Sequence, residues 1–92
     1  MNLNAIVGIL HREARAATYG AVAGLVVGKD AFTVMQGRPR NHMNSWVVAK
    51  DDKKPSKYDD DKIDPRLLGS IQEDGVLETT LELLDWLEDQ GA

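Results

Sequence analysis

Cysteine is missing from all 92 residues of this sequence, which excludes disulfide staples, thiolate metal ligands and a thiol nucleophile. A reducing compartment is the natural setting for such a chain, and a cytoplasmic location is expected. Histidine is scarce. His11 and His42 fall in different segments without a His-x-x-x-His spacing, so neither a metal site nor a cofactor is expected. Ser45, three residues after His42, has no third group to orient the imidazole and no oxyanion donors, and no catalytic constellation is expected there or elsewhere. The carboxylates Asp59, Asp60, Asp61 and Asp64 lack the glycine and terminal glutamate of a calcium loop. Long apolar runs are also lacking. The longest, around Ala21 to Val27, is interrupted by Gly24 and falls well short of the roughly 20 residues that cross a bilayer. The first residues lack a basic n-region, so neither a membrane span nor a secretory signal is expected.

What is present suits one small core. A hydrophobic content of 42% over 92 residues fills one domain and is too little for two. Charge is segregated along the chain. Residues 1–57 carry nine basic against four acidic side chains, and residues 58–92 carry two against eleven, within a net charge of −4. Such asymmetry fits a phosphate-facing first half, while the acidic second half fits either a solvated face or a surface for a protein partner.

Leu3, Ile6, Val7 and Leu10 predict an amphipathic helix over about residues 2–16, which Ala14, Ala16 and Ala17 favour by propensity. Thr18 is an N-cap candidate for a second helix through the small residues of Gly20–Val27, ending at Gly28. Asp30 caps a third, short helix through Ala31, Val34 and Met35 that stops at Gly37 before Pro39. Three helices joined by tight turns form a helix-turn-helix pattern. Ser45 to Lys50 reads as a strand, Asp51 to Ser56 as a turn, and Lys57-Tyr58 as the start of a return strand, together a charged hairpin wing. Asp64-Pro65 opens a helix through Leu67, Leu68 and Ile71. Thr79 and Glu82 form a capping box ahead of Leu81, Leu84 and Leu87. Trp46 and Trp86 are expected in or against the core. The fold class expected is α+β, a small winged-helix-like domain over residues 1–92 with a core over 1–78 and an acidic C-terminal helix over 79–92.

Within this order of elements, Thr18-Tyr19-Gly20-Ala21 opens the second helix, Ala31 to Gly37 occupies the recognition-helix position, Val47 to Lys53 forms a valine-rich strand and charged turn, and Leu67-Leu68 leads to Glu73-Asp74-Gly75-Val76. Over roughly residues 3–77 the sequence thereby resembles the DNA-binding domain of the alkylguanine-DNA alkyltransferases and their non-enzymatic relatives, the alkyltransferase-like proteins. The resemblance implies that Tyr19 lies at the DNA backbone, and it puts Thr33 where the family inserts an arginine into the base stack. The proline-cysteine-histidine-arginine motif of the enzymes is replaced by Met43-Asn44-Ser45-Trp46, so the resemblance implies a binder without alkyl transfer. Around the recognition-helix position Lys29, Gln36, Arg38 and Arg40 offer phosphate contacts, and Lys50, Lys53, Lys54 and Lys57 would set the wing against the backbone. The expected function is non-enzymatic binding of duplex DNA through Tyr19, Lys29, Thr33, Gln36, Arg38 and Arg40. The alternative is an acidic protein-interaction module, an adaptor or inhibitor, that reuses the same shape and presents its C-terminal helix or Trp86.

Overall fold

Leu3, Ile6, Val7 and Leu10 share one face only when the chain coils at 3.6 residues per turn. The computed structural model, which describes residues 1–91, coils in that way from Leu3 to Glu13 (α1). The Asn2 side chain caps the helix by accepting from the Asn4 N–H, and Ile6, Val7 and Leu10 are wholly buried. The helix ends sooner than its alanines predict. Ala14 turns into the left-handed region at φ 53°, and the Ala14 and Arg15 amides close back on the His11 and Leu10 carbonyls at 3.3 and 3.0 Å.

Ala16 and Ala17, expected to prolong α1, instead form a strand with Thr18 (β1, Ala16–Thr18). It is the middle strand of a three-stranded parallel sheet of order β2-β1-β3, with Val47–Val48 as β2 and Val76–Leu77 as β3. Ala17 lies opposite Val47 on one side and Leu77 on the other. Pairing on both edges outweighs alanine's preference of a few tenths of a kcal/mol for a helix. All three β1 residues are buried, as befits a parallel strand covered on both faces.

Thr18 caps the second helix as expected, its hydroxyl accepting from the Ala21 N–H at 3.1 Å, but α2 spans only Tyr19–Ala23. Gly24, Val26, Val27 and Gly28 propagate a helix poorly, and the chain continues in turns. The third helix is likewise a correction. Asp30 does cap, accepting from the Phe32 and Thr33 amides at 3.0 Å, yet residues 31–37 close single turns rather than a helix. Gly37 at φ 80° ends the segment, whose Phe32, Thr33 and Val34 have poor helix propensity.

The expected strand over Ser45–Lys50 begins as a 3-10 turn, Met43–Trp46, and is extended only at Val47–Val48. Its partner is β1, in parallel, and among the described residues Lys57-Tyr58 forms no return strand. The hairpin wing is therefore a charged loop, closed where the Ala49 N–H donates to the Lys54 carbonyl at 2.9 Å. Asp64-Pro65 precedes α3 (Leu67–Asp74) rather than capping it: the N-cap is Arg66, whose N–H donates to Asp64 Oδ1 at 2.9 Å, and the helix stops at Gly75 with φ 74°.

The capping box of Thr79 and Glu82 is formed as read, and α4 runs from Thr80 to Asp89. Its buried stripe is Leu83 and Leu87, with Leu84 and Trp86 half-buried, whereas Leu81 points outward at 67% exposure. α4 belongs to the core rather than standing apart from it, because it packs on α2 where Gly24 leaves no room for a side chain beside Thr80. Trp46 is wholly buried, its indole N–H donating to His11 Nδ1 at 3.1 Å. Over the described residues the result is a small α+β fold with four α-helices and one three-stranded parallel sheet. Among the described residues no helix is long and apolar enough to cross a membrane.

Candidate nucleic-acid interface

The turns that replace the third helix bring together residues far apart in sequence. A surface cavity of about 490 Å³ is lined by Ala31, Phe32 and Met35 to Gly37 from these turns, by Arg38 and Arg40 after them, by Tyr19 at the start of α2 and by Ser56 to Tyr58. Four residues expected at a DNA surface, Tyr19, Gln36, Arg38 and Arg40, thus share one cavity. Lys57 and Tyr58 join them, and no carboxylate lines it. Lys29 and Thr33 do not line it. Lys29 is exposed. Thr33 closes the Asp30 cap, its hydroxyl donating to Asp30 Oδ1 at 3.0 Å and accepting from the Asp30 N–H at 3.2 Å.

Tyr19 and Arg38 are held in the cavity by their neighbours. Tyr19 is half-buried and its hydroxyl oxygen accepts from the Ser56 N–H at 2.8 Å, which leaves the phenol's own proton available to a ligand. Arg38 reaches across to α1, donating from Nη1 to Asn4 Oδ1 at 2.7 Å and from Nε to Asn44 Oδ1 at 2.9 Å. Both acceptors are neutral amides, so the guanidinium is positioned without being neutralised. Asn44, itself buried, also donates from Nδ2 to the Pro39 carbonyl and to Asn41 Oδ1, fixing the loop that carries Arg38 and Arg40. Among the described residues none of Lys29, Arg38, Arg40 and Lys57 meets a carboxylate within ion-pair distance. Burial pushes the Tyr58 phenol above its ordinary range, with Tyr19 adding to the effect. The Asn41 backbone, Arg40 and Arg38 pull the other way, and Tyr58 stays a protonated donor at neutral pH.

A second hollow of about 740 Å³ adjoins the first and shares Tyr19, Ala31, Phe32, Ser56 and Lys57 with it as a common wall. Here Lys50 and Lys57 are matched by Asp51 and Glu78, so the positive bias belongs to the first hollow.

The pairing of Ser45 with His42 takes a structural form. The Ser45 hydroxyl donates to the main-chain carbonyl of His42 at 2.7 Å and accepts from the Asp64 N–H at 3.0 Å, while the imidazole Nε2 lies 3.0 Å from the Asp61 carbonyl. His11 accepts from Trp46 and lies 3.6 Å from Asp64, whose carboxylate is held by Arg66 at 2.8 Å. These groups tie α1, the Met43–Trp46 turn and the entry to α3 together.

Sequence reasoning missed Phe32, Tyr58 and Asn44. The Asn41–Asn44 spacing was the one local signal for Asn44, since a side-chain oxygen three residues back can accept from the backbone amide, as Asn41 Oδ1 does at 3.0 Å. No family model, curated protein or solved structure matches this chain.

Proposed function

We propose that this chain is a non-enzymatic binder of duplex DNA that meets the phosphate backbone with the rim of the 490 Å³ cavity. The observation that carries the reading is the gathering of Arg38, Arg40 and Lys57 with the phenols of Tyr19 and Tyr58 around one hollow free of carboxylates, in a chain whose net charge is −4. Cations held unpaired against the overall charge favour an anionic ligand, and phosphate is the anion that hydroxyl donors and guanidinium groups bind together. The arrangement is winged-helix-like in this reading. α2 and the capped turn at Asp30 take the helix-turn-helix positions, and the lysine-bearing loop after β2 takes the place of the wing. The likeness to alkyltransferase-like proteins supports the same ligand, with Tyr19 at the backbone and no alkyl-accepting thiol.

The test is fluorescence anisotropy with a short duplex at about 50 and 200 mM salt, the range over which phosphate contacts release counterions. Arg40 and Lys57 are the residues to change, because both are exposed and neither makes a side-chain bond within the described residues. Arg40→Gln with Lys57→Gln is expected to weaken binding and to lower the slope of log K against log salt by about 2, at about 0.9 for each phosphate contact. A wild-type protein that does not bind duplex at about 50 mM salt refutes the reading.

A second reading rests on Leu81, which stands 67% exposed on α4 among exposed Glu82, Asp85 and Glu88. An apolar side chain ringed by carboxylates suits a basic protein partner. Deleting α4 would remove Leu83 and Leu87 from the core, so Leu81→Glu is the proper probe.

A further inference from the structure

The chain has one phenylalanine, and its ring is 91% exposed. Full burial would stabilise such a side chain by about 2 kcal/mol, and Val34, two residues on, is only 2% exposed. The turn therefore reaches the core and still presents Phe32 outward. Its backbone is pinned on both sides. Asp30 Oδ1 accepts from the amides of Phe32 and Thr33 and from the Thr33 hydroxyl, all at 3.0 Å, and the Thr33 hydroxyl accepts from the Asp30 N–H. The ring is thus projected from a fixed base.

Phe32 also stands on the ridge that separates the two hollows, since it lines both. Lys57 shares that ridge; Arg40 lines the carboxylate-free hollow on one side, and Lys50 with Asp51 and Glu78 lines the other. A projecting aromatic with a concavity to each side and cations around it is the shape complement of an opened base step. The ring goes between the bases, the displaced neighbours face the hollows and the flanking phosphates meet the cations.

We infer that Phe32 is an apolar wedge that enters the base stack of duplex DNA, a role that rests on the DNA-binding reading above. A planar ring costs the duplex its stacking at one step and returns stacking of its own, with the bent backbone brought against Arg40 and Lys57 on the side of the carboxylate-free hollow. The surroundings favour nucleic acid over a protein surface. An aromatic anchor for a protein sits in a water-excluding apolar ring, whereas the hollow that Phe32 lines also carries Gln36, Arg38, Arg40 and Lys57.

The experiment uses three duplexes of one sequence: intact, intact with 2-aminopurine in the central step, and with a single-nucleotide gap whose stack is already broken. Wild-type protein is expected to raise 2-aminopurine fluorescence on binding and to prefer the gapped duplex. Phe32→Ala is expected to weaken binding to the intact duplex by about tenfold, from the loss of one stacking contact, and to abolish the fluorescence rise. Phe32→Trp is expected to retain both. The thermal midpoint of Phe32→Ala should match that of the wild type, because the side chain touches little of the fold. If wild type binds duplex and Phe32→Ala binds with the same affinity and the same fluorescence change, the wedge is refuted and the phosphate-binding reading stands. If wild type binds none of the three duplexes, the DNA reading fails and the wedge with it. A Phe32→Ala defect in capturing a protein, with DNA binding intact, would reassign the residue to a protein interface.

Discussion

Gly24→Ala should destabilise this protein although the backbone has no objection to alanine. Gly24 lies at φ −63°, ψ −18°, ordinary right-handed geometry, and removing a glycine from the unfolded chain would by itself stabilise by about 0.5–1 kcal/mol. The obstacle is α4. A Cβ at this position would stand 2.0 Å from Thr80 Oγ1, 2.8 Å from its Cγ2 and 2.9 Å from its Cβ, where carbon atoms pack at about 3.5–4.0 Å. Rotating the threonine moves Oγ1 away but breaks its bond to the Ala21 carbonyl at 3.1 Å, worth about 1 kcal/mol. The Thr80 Cβ cannot rotate away, so the first turn of α4 must shift, at about 1–3 kcal/mol. The net expectation is a loss of about 2 kcal/mol, or roughly 8–16 °C in thermal midpoint for a domain of this size. Circular dichroism melts of Gly24→Ala, Thr80→Gly and the double variant measure it, with a coupling of about 2 kcal/mol expected between the two sites. Gly20→Ala, on the same helix with open space around its Cβ, should be neutral or mildly stabilising. An equal cost for Gly24→Ala with and without Thr80 would refute the proposed contact.

Two further outcomes follow from the buried polar groups. The hydrogen bonds and charge of Arg66 hold the Asp64 carboxyl down to about 2 from 3.8. The stability from that pairing is therefore full above about pH 4 and lost as the pH falls through 2. Asp64→Asn should cost about 2 kcal/mol at pH 7, allowing for the half-exposed Arg66, and much less at pH 2; urea titrations at the two pH values that gave equal costs would rule this out. Asn44→Ala removes the acceptor of Arg38 Nε and the donor to the Pro39 carbonyl, and is expected to lower stability by about 1–3 kcal/mol in urea melts. It should also weaken duplex binding by loosening the Arg38–Arg40 loop, and unchanged affinity would show that Asn44 does not position that loop.

Features closed within a few residues were legible in the sequence. The Thr18 cap, the Thr79–Glu82 box and the buried face of α1 each depend on side chains within one or two turns, and each was read correctly. Tyr19, Gln36, Arg38 and Arg40 were also readable as a group, because three of them lie within five residues and the fourth opens the preceding helix.

Tertiary structure decided the rest. Ala16 and Ala17 become a strand because Val47–Val48 and Val76–Leu77, some 30 and 60 residues away, supply partners for both edges, a term local propensity does not contain. The charged segment after Val48 had the composition of a hairpin, but the Ala49 N–H closes it on the Lys54 carbonyl as a tight loop, and among the described residues the outer edge of β2 takes no partner strand. Leu81, which periodicity placed inward, points out because the docking of α4 against Gly24 turns Leu83 and Leu87 toward the core. Lys57 and Tyr58 reach the cavity only through the path of the loop that carries them. The sequence by itself determined where helices start and which charges travel together; the burial of strand edges and the close approach of α2 and α4 determined which residues meet.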